Sequence, residues 1–192
     1  VSIVGNFDEK SITSLLKKHF GNWKPNKIKK EDTKVPIITK NTISKTKDIE
    51  QVHLCIGMEG LNNTSEDLYA LIIVNNILGG GMSSRLFQTV REEMGLVYTI
   101  YSYLQTYEET GTLSIYAGMN EENLIRVSQT IVDNINNLKI NLITEKELET
   151  TKEQLKGNYM LGLESTFSRM SYIGKSELLL EKIDSQEDII SK

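Results

Sequence analysis

Two side chains in the middle of the sequence could act together on a peptide carbonyl group. Arg91 lies in the last turn of a predicted helix, Gly95 ends that helix, and Tyr98 is three residues into the following strand, so the turn folds the two side chains toward one another. A guanidinium and a phenol can both donate hydrogen bonds to a carbonyl and to the oxyanion that forms from it. A structural interpretation stays open from the spacing alone: Arg91 would pair with Glu92 or Glu93, and Tyr98 would pack in the core.

The glycine run Gly79–Gly81 stands before the same helix, where backbone amides favour anions. The next residues are Met-Ser-Ser-Arg instead of Gly-Lys-Ser/Thr, and a predicted helix rather than a strand precedes the run, so it is not a P-loop. We expect a tight turn between two helices, with an anion site as the alternative.

The sequence offers few ligands for a metal ion. The only histidines, His19 and His53, are 34 residues apart and cannot share a helix turn, so zinc has no evident ligand set in this chain. Cys55 shares a predicted strand face with His53, but a Cys/His nucleophile would need a third partner. A single cysteine cannot form an internal disulfide, and nothing calls for an oxidising compartment.

The elements before Gly95 show first a strand period and then a helix period. Apolar and polar residues alternate from 51 to 58, which predicts a half-buried strand. Thr64-x-x-Asp67 resembles a capping box and predicts a helix up to the glycines, and a second helix should begin near Ser83 or Ser84. The expected inward residues are Val52, Leu54, Ile56 and Met58 on the strand, Leu68, Leu71, Ile72 and Leu78 on the first helix, and Leu86, Phe87, Val90 and Met94 on the second.

The elements after Gly95 begin with a predicted antiparallel hairpin. Its first strand would hold Leu96, Tyr98, Ile100, Ser102 and Leu104 on one face, and its second strand would run from 112 to 118. Helices capped by Asn120 and by Thr144-x-x-Glu147 should follow, the last reaching about Lys182 with a bend between Gly162 and Ser165. This order predicts an α+β fold, a largely antiparallel sheet with helices packed on one face.

The composition excludes several classes of function. With 192 residues, 39% of them hydrophobic and 25% charged, the chain has the profile of a soluble globular protein. A net charge of −4 disfavours nucleic acid as a partner. No apolar run is long enough to cross a bilayer, and the first residues lack the features of a signal peptide, so we expect a cytoplasmic protein with no membrane partner.

Charge and proline mark a boundary in the chain. Residues 24–47 hold eight lysines against two acidic residues, together with both prolines, and predict an extended inter-domain linker. A basic nucleic-acid arm is the alternative, but the segment has no aromatic residue for base stacking. A short strand at Val1–Val4 and a helix capped by Asp8 predict that residues 1–23 end a preceding half-domain. Since the sequence does not begin with Met, we expect a piece of a longer polypeptide.

The segment from Leu78 to Tyr98 carries a resemblance to a known family. Its residues LGGGMSSRLFQ, followed by Arg91-Glu92 and by GLVY, closely resemble the C-terminal half of the pitrilysin/insulinase family of zinc metallopeptidases, in the bacterial branch similar to mitochondrial processing peptidase. The resemblance continues through most of the chain, with ELE at 147–149, KEQLKG at 152–157, LES at 163–165 and SRM at 168–170, and with VGN at 4–6 and FGNW at 20–23 matching the end of the N-terminal half.

The resemblance implies a peptidase of two similar α+β halves that close around an extended substrate. In the family the N-terminal half binds zinc through His-x-x-Glu-His and a further Glu, a motif that these residues lack. The family arginine and tyrosine that contact the scissile carbonyl fall by motif on Arg91 and Tyr98, which favours the catalytic interpretation of this pair. Residues 48–192 would be the C-terminal half-domain without its last helix and strand.

The implied function is that of the non-zinc-binding part of a zinc metalloendopeptidase acting on peptides or unfolded protein segments. Its partners would be that substrate and the N-terminal half of the same polypeptide, in a homodimer or a heterodimer, and this chain alone would be inactive. A non-catalytic peptide-binding subunit would use the same surface, because some family members have lost the zinc motif. A purely structural interaction module would not need an arginine and a tyrosine aimed at one cavity.

Overall fold

A computed structural model of the chain describes residues 1–24, 35 and 39–192. These residues form two compact units, one drawn from Val1–Val35 and Met160–Asp184, the other from Pro36–Tyr159 and Ser185–Lys192. The second unit contains the sheet and both predicted site residues.

The second unit is built on a three-stranded antiparallel sheet in the order β1-β3-β2. The strands are β1 (Val52–Glu59), β2 (Thr99–Thr106) and β3 (Gly111–Met119). β2 and β3 form the predicted hairpin, in which Thr106 lies opposite Gly111 and Thr99 opposite Gly118. β1 pairs with the other edge of β3, which is therefore the central strand.

Helices cover one face of this sheet, as the alternating pattern predicts. Apolar residues of all three strands meet those of the covering helices in a single core, so the predicted α+β fold is confirmed. The helical elements of the second unit are α2 (Leu68–Gly79), a π-helix (Phe87–Glu93), a 3₁₀ turn (Glu121–Asn123), α3 (Leu124–Asn141), α4 (Glu145–Gly162, which ends in the first unit) and α6 (Gln186–Ser191). The most deeply buried core residues are Leu86, Val90, Ile115, Ala117, Met119, Val127 and Ile131.

The glycine run forms the predicted turn between two helices. α2 ends at Gly79, and a Cβ atom there would lie 2.6 Å from the backbone nitrogen of Ser102 on β2. The Ser102 hydroxyl also donates to the carbonyl of Asn75, at 3.0 Å. Gly79 is therefore required by the close approach of α2 to the sheet.

Of the two predicted helix starts in this region, one differs from the structure. α2 begins at Leu68 with Asp67 at its N-cap, and the Thr64 hydroxyl bonds to Asn62 Oδ1 at 3.2 Å instead of capping the helix. The next helix begins at Arg85, as predicted from Ser83 and Ser84, and from Phe87 to Glu93 it is a π-helix, whose backbone bonds span five residues instead of the four of an α-helix.

The predicted start of β2 is also wrong. β2 begins at Thr99, whereas Leu96 and Val97 are adjacent and both buried, which breaks the alternation of a strand. Gly95, with φ of +63°, turns the chain just before them. Tyr98 consequently precedes the strand and is 55% exposed, not packed in the core.

The first unit is helical. α1 (Glu9–Phe20) begins as predicted, with the Ser11 amide donating to Asp8 Oδ2 at 2.8 Å. α5 (Thr166–Leu180) starts anew at Ser165, so the predicted bend is a break between α4 and α5. The predicted strand at Val1–Val4 is absent, because no strand of the described residues pairs with it.

Most of the predicted linker, residues 25–34 and 36–38, lies outside the described residues. Its described residues, 24, 35 and 39–47, are exposed and belong to no helix or strand. The boundaries at 23 and 47 stay predictions. Among the described helices, none combines the length and apolar character that a membrane crossing needs.

Candidate functional site

Tyr98 stands beside the end of β3, one residue before β2. Its backbone amide donates to the carbonyl of Gly118 at 2.8 Å, which fixes the main chain to the sheet. Its ring is largely exposed, and its hydroxyl donates to Asn120 Oδ1 at 2.9 Å. The phenol is thus presented to solvent on a backbone that the sheet holds in place.

Arg91 lies on the solvent side of the π-helix. Val90 beside it is fully buried and anchors the helix to the core. The Arg91 guanidinium carbon lies 4.6 Å from the centroid of the Phe87 ring, and Nη1 is 3.6 Å from Glu92 Oε1. This ion pair is long and the side chain is 41% exposed, so it contributes little stability and leaves the guanidinium able to turn toward a ligand.

The main chain between Arg91 and Tyr98 is short and is held by hydrogen bonds to neighbouring elements. The Leu96 amide donates to the Val90 carbonyl at 3.1 Å, and Asn123 Nδ2 donates to the Leu96 carbonyl at the same distance. Within the described residues, Arg91 and Tyr98 bond to other groups and not to each other. Both side chains therefore belong to one short stretch of main chain, but no hydrogen bond joins them.

The uncovered face of the sheet carries a cluster of rings that the sequence analysis missed. His53 Nδ1 lies 2.6 Å from the Tyr116 hydroxyl, and the Tyr101 ring centroid lies 5.1 Å from that of Tyr116 and 5.9 Å from that of Tyr103. His53 thus bonds to Tyr116, not to Cys55 on the same face, and the Cys/His nucleophile receives no support. The strand register would have revealed the cluster, because it sets Tyr101 directly opposite Tyr116.

A second arginine, Arg85, is held by a carboxylate and a backbone carbonyl. Its Nε and Nη2 donate to the two carboxylate oxygens of Glu147 at 2.8 and 2.9 Å, and Nη2 also reaches the Leu142 carbonyl at 3.0 Å. The hydrogen bonds from Arg85 lower the pKa of Glu147 to about 2. Glu147 and Thr144 also form the predicted capping box of α4, with the Thr144 amide and hydroxyl both donating to Glu147 Oε2.

The residues that the structure describes do not fit a catalytic zinc ion, which needs three protein ligands. The described part of the chain contains no group of three or more histidine, cysteine, aspartate or glutamate residues that could hold a metal. His19 belongs to the first unit and His53 to the second.

Comparison with known proteins identifies the family. Residues 1–155 match the model of the "Peptidase M16 inactive domain". The zinc protease YmxG of Bacillus subtilis, itself uncharacterized, is 45% identical over 192 residues, which are 100% of this chain and 46% of that protein. The chain thus spans about half the length of this relative.

Two crystal structures share the fold. The peptidase M16 inactive domain from Pseudomonas fluorescens is 26% identical, with a TM-score of 0.67 over 73% of this chain and 34% of that one. A protease from Helicobacter pylori is 22% identical, with a TM-score of 0.78 over 98% of this chain and 46% of that one, and supports the fold alone. The chain therefore belongs to the M16 (pitrilysin/insulinase) family of zinc metallopeptidases and corresponds to its inactive, C-terminal domain.

Proposed function

We propose that this chain is the substrate-contacting, non-zinc-binding part of a zinc-dependent metalloendopeptidase. In this proposal Arg91 and Tyr98 donate hydrogen bonds to the carbonyl of the peptide bond that is cleaved. The observation that carries the proposal is the presentation of these two exposed donors by a connection whose backbone is pinned to buried core residues. A backbone that is fixed before the reaction limits how far the two donors must reorganise to stabilise developing charge.

The chemistry follows from the two donor types. As the carbonyl carbon becomes tetrahedral, negative charge collects on its oxygen. Arg91 offers a permanent positive charge and a planar fork of N–H groups, and Tyr98 offers one O–H. Both interactions strengthen as the charge grows, so they favour the transition state over the bound substrate.

The remaining parts of the proposal concern the rest of the protein. Zinc would be held by the N-terminal half of the same polypeptide, since the described residues of this chain include no ligand set for it. The substrate would be a peptide or an unfolded protein segment, processed in the cytoplasm by a homodimer or heterodimer similar to the processing peptidases. The zinc protease name of the relative supports the reaction class.

The alternative is a non-catalytic peptide-binding subunit of such a peptidase. The match to the inactive domain is compatible with it, because the same two donors would bind a carbonyl without cleaving the bond. The presence of His-x-x-Glu-His in the N-terminal half of the parent protein separates the two functions.

Substitution of the pair in the full-length parent tests the proposal. Tyr98→Phe deletes one hydroxyl, and Arg91→Lys keeps the charge but loses the fork, so each should lower kcat by about 10²- to 10³-fold with a smaller change in KM. Tyr107→Phe and Arg126→Lys are matched controls on exposed residues and should leave kcat unchanged. Wild-type kcat in both Tyr98→Phe and Arg91→Lys would falsify the assignment.

The isolated chain provides a second test. After dialysis it should contain no stoichiometric zinc and cleave no peptide, because two separated histidines and one thiol cannot form a catalytic site. Metal analysis together with a peptide-cleavage assay measures this. One zinc per chain with cleavage that a chelator abolishes would contradict the prediction.

A further inference from the structure

The hydrogen bond of Tyr98 conflicts with its proposed role unless its partner can change. A phenol has one proton to donate, and in the structure that proton goes to Asn120 Oδ1 at 2.9 Å. While this bond persists, Tyr98 can accept a hydrogen bond from a ligand but cannot give one to a carbonyl. The question is therefore what Asn120 does when a substrate arrives.

The backbone of Asn120 is fixed, and its side chain accepts the hydrogen bond from Tyr98. It follows β3 directly and occupies the N-cap position of the 3₁₀ turn, yet its side chain makes no capping bond. Its carbonyl accepts from the Asn123 amide at 3.0 Å, and Asn123 in turn holds the Leu96 carbonyl. The backbone on both sides of the bond is thus fixed, whereas the exposed amide group can rotate.

We propose that Asn120 is a positioning residue for Tyr98, whose amide turns over when a substrate carbonyl binds. This inference rests on the function proposed above. Rotation about the Cβ–Cγ bond exchanges Oδ1 and Nδ2 at nearly the same position. Nδ2 then donates to the Tyr98 oxygen, and the phenol proton is released to the substrate oxygen.

The exchange needs no proton transfer and no other reactant. One hydrogen bond, from Tyr98 to Asn120, is replaced by two, from Asn120 to Tyr98 and from Tyr98 to the carbonyl. A hydroxyl that accepts one hydrogen bond becomes a better donor in another, because chains of hydrogen bonds polarise one another. Asn120 would therefore aim the tyrosine proton and also strengthen its interaction with the oxyanion.

Two substitutions of Asn120 separate this role from simple anchoring of the tyrosine ring. Asn120→Asp keeps the shape but has no N–H to donate, and its carboxylate is a stronger acceptor that holds the phenol proton. Asn120→Ala frees the Tyr98 hydroxyl proton but provides no group that orients it toward the substrate. The proposal expects the Asp variant to be the more impaired in kcat, whereas a structural anchor expects the Ala variant to be worse.

The experiment measures kcat and KM in the full-length parent with zinc bound. Asn120→Asp should lower kcat by about 10-fold or more, approaching the loss in Tyr98→Phe, with KM changed less than about 2-fold. In the Tyr98→Phe background the same substitution should have no further effect, because the hydroxyl it restrains is gone. Asn136→Asp, on the exposed side of α3, adds the same charge and should leave kcat unchanged.

The outcomes are distinct from those for the proposed function. Wild-type kcat in Tyr98→Phe overturns both the function and the positioning role. If Tyr98→Phe is impaired, the positioning role alone fails on any of three results: wild-type kcat in Asn120→Asp, a larger loss in Asn120→Ala than in Asn120→Asp, or an Asp loss that persists without the Tyr98 hydroxyl. The persistent loss would mean that the new charge repels the oxyanion directly. Should Asn120→Ala not fold, the double substitution still decides.

Discussion

Arg85 and Arg91 lie six residues apart in one helical stretch but have different environments. The Arg85 side chain is 20% exposed, and its Nε and Nη2 donate to Glu147 and to the Leu142 carbonyl. Arg91 stacks on Phe87, and its ion pair with Glu92 is long and exposed. An arginine whose donors are filled by the protein holds a fold together, whereas one whose donors meet solvent is available to a ligand.

Replacing each arginine by alanine gives the largest expected contrast in stability. Arg85→Ala should lower the free energy of unfolding by about 2 to 3 kcal/mol, because it removes charge-assisted bonds and leaves a partly buried carboxylate without its cation. Arg91→Ala should change it by less than about 0.5 kcal/mol. Urea unfolding of both variants measures the difference, and equal losses would remove the distinction between the two sites.

Acid should weaken the Arg85 site specifically. The pKa of Glu147 is lowered from 4.5 to about 2, so its ion pair contributes fully above the unfolded pKa and is lost as pH falls through the folded value. The stability advantage of wild type over Glu147→Gln should therefore be constant above about pH 5 and shrink between about pH 4.5 and 2. Denaturant unfolding at several pH values tests this, and a constant difference down to pH 2 would argue against the ion pair.

The smallest expected effect concerns the cap that shares Glu147. Thr144→Ala removes a hydroxyl that bonds in the capping box of α4 and should destabilise the protein by about 1 kcal/mol. Thr64→Ala is the matched control, since Thr64 caps no helix, and should cost only a few tenths. Thermal unfolding compares them, and a loss in Thr64→Ala as large as in Thr144→Ala would contradict the assigned caps.

Local patterns predicted much of the fold. The alternation in β1, the hairpin, the turn at Gly79 and the box at Thr144 depend on residues close in sequence, and all were predicted. The capping-box pattern at Thr64 is misleading, because the Thr64 hydroxyl bonds to the side chain of Asn62 and not to a helix amide. The π-helix could not be predicted either, since the spacing of Leu86 and Val90 suits an α-helix equally well.

The candidate site was only partly predictable. The sequence predicts Arg91 and Tyr98 as a pair, but its alternation puts Tyr98 on the strand face of Ile100 and indicates only a helix cap at Asn120. Extending the hairpin register by one residue sets Tyr98 opposite Met119 and hence next to Asn120. That contact depends on pairing between distant residues, which periodicity within one strand does not contain. The catalytic roles of Arg91 and Tyr98 stay a prediction.

The π-helix holds one residue more than an α-helix would need in the same segment. Its bond from the Met94 amide to the Thr89 carbonyl spans five residues, so it accommodates more residues per turn than an α-helix. Deleting one residue between Leu86 and Arg91 would let the segment return to α-helical geometry, where successive side chains differ by about 100° around the axis. Arg91 would then be the fourth residue after the buried Leu86 instead of the fifth, and a fourth residue lies roughly 40° past one full turn, which keeps it on the same side of the helix. A single-codon deletion there would thus shorten the segment and leave the positive charge in its place.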